Sequence, residues 1–339
     1  MYLTDDDQQK TVVFAPLNWG LGHASRIVPL IKQYQKGGWK IILASNGSAH
    51  QFLKIEFPEL ELIKINSKPL IYSKYPFLLF HLFHLLFPFL RNINKDQHFI
   101  NELFNQRNID LIISDNRYGF FHPQIKSIII SHQLQLAIPK FLKWSQSIIQ
   151  KRINSWISQF DECWIMDSEN HILAGQLSKP KNLNIPIKYL GLQSRLIPEP
   201  LKQDIDFLLI LSGLEPQRSI LENLIIKIFQ NTNKKLIIVG GQFEKNIVLK
   251  KIEYLNFAST QELNQLLNRT KWVVARSGYS TIMDLIKLNK NAILIPTPGQ
   301  PEQEYLAQLH SNNPNFRITK DNFGSIQNCI SKIISDNIN

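Results

Sequence analysis

The sequence predicts an α/β protein built from two doubly wound domains that face each other across a cleft. Three observations carry this. The chain has 339 residues, more than one hydrophobic core usually serves. Stretches such as LIIS, SIIIS, FLLILS and KLIIVGG are continuously apolar, as in parallel strands covered on both faces. Longer amphipathic segments separate them, so strands alternate with helices throughout.

Taken in order, the apolar runs place strands at 11–17, 40–46, 61–65, 109–114, 126–131, 162–166 and 187–190. A second series follows at 206–212, 235–240, 272–276 and 292–296. Between the two series lies GLQSRLIPEPLKQD (Gly191 to Asp204), with two prolines and no usable apolar period, which reads as a linker. The expected organisation is a loosely ordered tail (1–10), a first domain (11–192), a linker (193–204) and a second domain (205–339). The tail carries three consecutive aspartates and no apolar core, so it is not a signal peptide.

Net charge is +11 and the pI about 9.5, a balance that suits an anionic partner. Nucleic acid is not that partner: the chain has no zinc-finger spacing, no aromatic RNA-binding signature and no dense Lys/Arg block. Two cysteines, Cys163 and Cys329, make neither a disulfide framework nor a zinc site, which fits a reducing cytosol.

The chemistry sits in loops after strands. APLNWGLGHASRIVPLI (Ala15 to Ile31) runs from a buried strand through Gly20 and Gly22 to His23 at the start of a helix. The glycines serve either a tight turn or close approach of a phosphate or sugar. Ser25 stands where a dinucleotide loop has its third glycine, and no acidic residue closes the second strand. His23, on the sheet's carboxyl edge, is placed to act as a general base. Asp115 and His132 follow strands LIIS and SIII and reach the same edge, as commonplace loop residues or as ligand contacts.

The second informative segment is ARSGYSTIMDLIKLNKNAILIPTPGQPEQEYLA (Ala275 to Ala307). A strand ends at Arg276, Ser277 and Gly278, and Ser280 or Thr281 is expected to cap the next helix, whose free backbone N–H groups suit a diphosphate. Asp284 follows one helical turn later, where it suits a ribose hydroxyl. A proline-rich turn then delivers Glu302, Gln303 and Glu304 at another helix start.

GLGH, LSGLEPQRS, RSGYSTIMD and PGQPEQEY, in that order, resemble the motifs of MurG-like glycosyltransferases of the GT-B fold. The resemblance spans most of the chain, and the last two motifs are its specific part. It implies an inverting, hexosyltransferase-type enzyme of the cell envelope that takes a nucleotide-sugar, UDP-linked, as substrate. It also implies that Ser277 and Gly278 meet the diphosphate, Asp284 the ribose, and Gln303 and Glu304 the donor sugar. The family's second glutamine is Glu304 here. Phe257 and Leu263 fall near the segment that packs on the uracil. Gly213 and Arg218 replace a more glycine-rich phosphate loop, with Arg218 as a plain surface residue the other reading.

No metal and no cofactor is expected. Asp204 and Asp206 precede a strand, on the wrong edge of the sheet, and Asp5, Asp6 and Asp7 belong to the tail. YPFLLFHLFHLLFPFLR (Tyr75 to Arg91) is apolar on every side of a helix, too short to span a bilayer and interrupted by Pro88. It reads either as a buried helix or as an element lying on an anionic membrane surface, ringed by Lys64, Lys68, Lys74, Arg91 and Lys95. His81 and His84 are too few for a metal site. The resemblance favours the second reading, with a lipid-linked acceptor and a cytoplasmic protein peripheral to the inner membrane face.

Two rivals share these motifs. GLGHASR resembles the start of nucleotide-sugar hydrolases equally well, with His23 activating water. A non-catalytic nucleotide-sugar binding protein would keep the donor loops alone.

Overall fold

The computed structural model describes residues 9–66, 78–138, 144–213, 215–242 and 252–336, with 78–88 described by backbone only. Most of the expected tail, Lys68, Lys74, the Tyr75–Phe77 start of the apolar run and Leu214 of LSGLEPQRS lie outside the described residues, as do the side chains of His81 and His84.

The first sheet is built from β1 (Thr11–Pro16), β2 (Lys40–Ser45), β3 (Glu61–Lys64), β4 (Leu111–Asp115), β5 (Lys126–Ile130), β6 (Glu162–Ile165) and β7 (Ile187–Tyr189). Its helices are α1 (Gly22–Arg26), α2 (Val28–Lys36), α3 (Gly47–Glu56), α4 (Leu78–Gln106) and α5 (Gln146–Ile157). The second domain follows as β8 (Ile205–Ile210), α6 (Gln217–Phe229), β9 (Leu236–Val239), β10 (Glu253–Leu255), α7 (Thr260–Arg269) and β11 (Thr270–Ala275). It ends with α8 (Tyr279–Lys287), β12 (Asn291–Leu294), α9 (Pro301–Leu309), β13 (Phe316–Ile318) and α10 (Phe323–Asp336).

Among the described residues the strands form two wholly parallel sheets, ordered β3-β2-β1-β4-β5-β6-β7 and β10-β9-β8-β11-β12-β13. The central strands carry continuous buried stretches, Val12 to Ala15 in β1 and Val273 to Ala275 in β11, which is why they read as unbroken apolar runs. Each of the eleven expected strands has its counterpart. The two extra strands, β10 and β13, are three-residue edge strands with partly exposed residues, too short to leave an apolar run.

Strand order reverses beside β1/β4 in one sheet and β8/β11 in the other, and such switch points open a crevice at the strands' carboxyl ends. Pro16 of β1 is paired with Asp115 of β4. The GLGH loop and Asp115 therefore leave the sheet side by side.

The two domains are packed together. One apolar cluster includes Ala24 and Phe52 from the first and Ala258, Tyr279 and Ile282 from the second. The Tyr305 hydroxyl accepts from Gln176 N–H at 2.8 Å, and His310 Nε2 donates to the Leu173 carbonyl at 2.9 Å. No described helix is long and apolar enough to cross a membrane. Helix α4 contains the 78–91 part of the apolar run, and its next turns carry Arg91, Lys95 and Asp96.

Candidate active site

His23 is the second residue of α1, one turn before Arg26, so both side chains leave the same face of the helix. Asp115 receives them. Its Oδ1 lies 3.1 Å from His23 Nδ1, and its Oδ2 accepts from Arg26 Nε at 2.7 Å, with Arg26 Nη2 closing a two-pronged pair on Oδ1. Burial alone would raise the Asp115 carboxyl's pKa, but the Arg26 charge and the hydrogen bonds from His23 and Arg26 outweigh it and hold the group well below the usual carboxylate range. His23 Nδ1 lies between Asp115 Oδ1 at 3.1 Å and Arg26 Nη2 at 3.0 Å. When the carboxylate is its partner the proton sits on Nδ1 and the lone pair on Nε2, the arrangement a general base needs.

Arg26 is almost wholly buried. Burial depresses its pKa, yet Asp115 more than restores it, so the guanidinium stays charged. Its Nη1 lies 2.6 Å from His132 Nδ1 and can only donate there, which puts the other ring proton on Nε2. That Nε2 donates to Glu302 Oε1 at 2.9 Å. Burial, reinforced by the Arg26 charge, lowers the His132 pKa, so the ring is neutral. Burial would raise the Glu302 carboxyl, but the His132 hydrogen bond and nearby cations lower it overall. The chain His23–Asp115–Arg26–His132–Glu302 thus crosses from one domain to the other.

Tyr279, first residue of α8, closes the same junction. Its ring stacks on His132 with centroids 4.0 Å apart, Arg26 sits 5.9 Å over it, and its hydroxyl donates to the Met166 carbonyl. Ser280 Oγ donates to the Gly22 carbonyl at 3.2 Å. A Cβ added at Gly22 would meet Ser280 Oγ at 2.9 Å, so the second glycine of GLGH is there for the approach of α8. The first, Gly20, has φ +78° and faces the backbone nitrogen of Gly213, whose φ is +89°. Glycine loops from the two domains therefore oppose each other.

The donor-side residues divide into three groups. Gly278 is the N-cap of α8, without a side-chain cap, and Ser280 and Thr281 lie inside the first turn rather than capping it as expected. The N–H groups of that turn have no partner within the helix. Asp284 accepts from Ser194 Oγ of the linker at 2.5 Å. Burial raises its pKa to about 6 against the weaker pull of Ser194 and Arg195. Phe257 meets Phe52 edge-on at 6.3 Å, and Arg195 lies 4.6 Å over the same Phe52 ring; Phe52 and the buried Leu263 both belong to the core shared by the two domains.

Other expected contacts turn inward. Arg276 is buried against Asp321 at 2.9 Å and donates to the Gln217 carbonyl, so it ties the second domain together instead of facing the cleft. Ser277 Oγ donates to the Gln303 carbonyl. Gln303 Oε1 accepts from Thr297 N–H and Glu304 Oε1 from Gly299 N–H, so both brace the proline-rich turn. The residue of α9 that reaches the junction is Glu302. Arg218 pairs with Glu215, one turn away.

Sequence reasoning named Glu302 only alongside Gln303 and Glu304, without choosing it, and missed Arg26, Tyr279 and Ser194 as members of the site. Only Arg26 had a local signal, the three-residue spacing from His23 in GLGHASR. Among the described residues no group of three or more His, Cys, Asp or Glu is set to hold a metal ion.

Residues 211–333 match the glycosyltransferase family 28 C-terminal domain. Among solved structures, the glycotransferase of kitacinnamycin superposes with TM-score 0.65 at 10% identity over 96% of this chain and 90% of that one. The complex of Arabidopsis thaliana UGT89C1 with UDP-L-rhamnose gives 0.59 at 12% over 97% and 90%. MurG of Acinetobacter baumannii gives 0.52 at 11% over 98% and 91%. The fold is GT-B. The similarity to MurG stands beside similarity to other GT-B glycosyltransferases and does not single MurG out. No curated protein matches in sequence.

Proposed function

We propose that this GT-B protein transfers a sugar from a nucleotide-sugar, UDP-linked, to the hydroxyl of a lipid-linked or membrane-associated acceptor, with inversion. The observation that carries the proposal is the His23–Asp115 contact at the mouth of the interdomain junction. The acceptor oxygen attacks the anomeric carbon as its proton passes to His23 Nε2, and the bond to the diphosphate breaks in the same displacement. Asp115 fixes the tautomer and stabilises the imidazolium that forms, the logic of an oriented acid–base pair. Charge on the departing diphosphate is met by the first turn of α8, without a metal.

The family 28 match covers the donor half. A solved structural neighbour, UGT89C1, is complexed with UDP in one structure and with UDP-L-rhamnose in another, which supports a UDP-linked donor. A set of partly exposed aromatic rings supports an acceptor presented at a membrane. A row of aromatic rings, Trp19–Phe89–Trp156 with Tyr118 beside it, starts in the GLGH loop and runs along the first domain at centroid spacings of 6.4 and 5.6 Å.

The test is incubation with UDP-sugars, with and without membrane lipid extracts, followed by product analysis. Sugar transfer to acceptor that is lost in His23→Ala supports the proposal. Rapid sugar release without acceptor identifies a hydrolase instead.

A further inference from the structure

Outside the interdomain junction, the first domain holds a cavity of about 790 Å³ between α5 and the segment that follows Ser178. The side chains that line it are all Gln, Asn, Ser or Lys, though their carbon atoms make up most of its surface. Gln146, Gln150 and Asn154 recur every four residues and so line one face of α5. Gln135 and Asn182 face them across the cavity.

Part of this set builds the walls. Gln150 Nε2 donates to the Leu134 carbonyl at 2.7 Å, Asn154 Nδ2 to the Lys181 carbonyl at 2.7 Å, and Gln135 Nε2 to the Lys179 carbonyl at 3.1 Å. The remainder is open for recognition. Among the described residues the amides of Gln146 and Asn182 make no side-chain hydrogen bond, and the carbonyl oxygens of Gln135 and Gln150 accept none. Carboxamides donate and accept at once, which matches neighbouring hydroxyls on a sugar ring. Two cations, Lys151 and Lys181, line the cavity with no carboxylate beside them.

The cavity is also close to the proposed chemistry. Gln135 stands three residues after His132 on one loop, a reach of at most about 11 Å. His132 in turn is bonded to Arg26, which touches His23.

We propose that this cavity binds an acidic sugar unit of the acceptor, so that the acceptor is a saccharide of two or more rings whose terminal hydroxyl reaches His23. This rests on the glycosyltransferase reading and extends it by naming the acceptor's chemistry. The carboxamides take the ring hydroxyls and the lysines a carboxylate or phosphate group.

The experiment titrates the full-length protein with D-glucuronic acid, glucose 6-phosphate, D-glucose and inorganic phosphate, followed by saturation-transfer NMR and tryptophan fluorescence. UDP is titrated in parallel. The double variant Gln146→Ala/Lys181→Ala removes two exposed side chains that hold no wall in place. The expected result is saturable binding of at least one acidic sugar, tighter than glucose, weakened about tenfold or more in the variant, with UDP affinity unchanged. Absence of saturable sugar binding, equal binding by the variant, or equal competition by inorganic phosphate would each overturn the proposal. Acidic-sugar binding without UDP binding would overturn the donor reading and leave the cavity assignment standing.

Discussion

Arg26 binds Asp115 through two nitrogens and His132 through a third, so one buried guanidinium fixes both the carboxylate behind the proposed base and the histidine that reaches Glu302. The proposed base and the interdomain contact therefore share a single anchor.

Asp115→Asn removes the charge that holds the His23 proton on Nδ1 and leaves Arg26 buried without its counter-ion. Turnover is expected to fall by about 10²–10⁴. Stability is expected to fall by roughly 3–5 kcal/mol, the cost of breaking a buried ion pair. Steady-state kinetics and urea unfolding check the two effects. His23→Ala should lose turnover comparably and keep its stability to within about 1 kcal/mol, because only Asp115 loses a partner that Arg26 still supplies.

The His132–Glu302 bond predicts acid-sensitive stability. His132 has its pKa lowered from the ordinary 6.5, so the unfolded chain takes up a proton first and stability declines as pH drops below about 6.5. Glu302 is lowered from 4.5, so its contribution is present above that value and is lost as pH falls through the lower folded value. Thermal melts between pH 8 and 5 should show the first decline, and His132→Gln should flatten it.

Asp284 works in the opposite direction. Its folded pKa of about 6 lies above the ordinary 3.8, so the folded chain holds the proton more tightly. Stability is favoured at low pH, declines as pH rises through 6, and stays reduced above it. Asp284→Asn should thus stabilise the protein by roughly 1–2 kcal/mol at pH 7.5 and by almost nothing at pH 4. A destabilised variant at pH 7.5 would contradict this account of the Ser194–Asp284 contact.

Gly22→Ala places a methyl group against Ser280 Oγ and should part the starts of α1 and α8. Expected are a stability loss of about 1–3 kcal/mol and a larger radius of gyration in solution scattering, with nucleotide affinity retained. Unchanged scattering and stability would mean that the contact does not hold the domains together.

Sheet architecture was legible because buried parallel strands are uniformly apolar, and the eleven such runs needed only recognition. The edge strands at Glu253–Leu255 and Phe316–Ile318 were not, although the equally short Ile187–Tyr189 was, since three partly exposed residues carry only a weak signature. In the site, His23, Asp115 and His132 were legible from their positions after buried strands. Glu302 was not, because its partner His132 is 170 residues away and its neighbours Gln303 and Glu304 are chemically equal candidates. The structure distinguishes them by helix phase: Gln303 and Glu304 turn back onto the preceding loop. Arg276 misled for the same reason, since its partner Asp321 lies in a segment that no motif marks.

The most direct test of the central claim is calorimetric titration with UDP, GDP, CMP, TDP and ADP, using Asp284→Ala as control. The account predicts selective binding of UDP that the variant loses, as the ribose hydroxyls take the place of Ser194 on Asp284. No binding of any nucleotide would contradict it, and the transfer reaction proposed for His23 would fall with it.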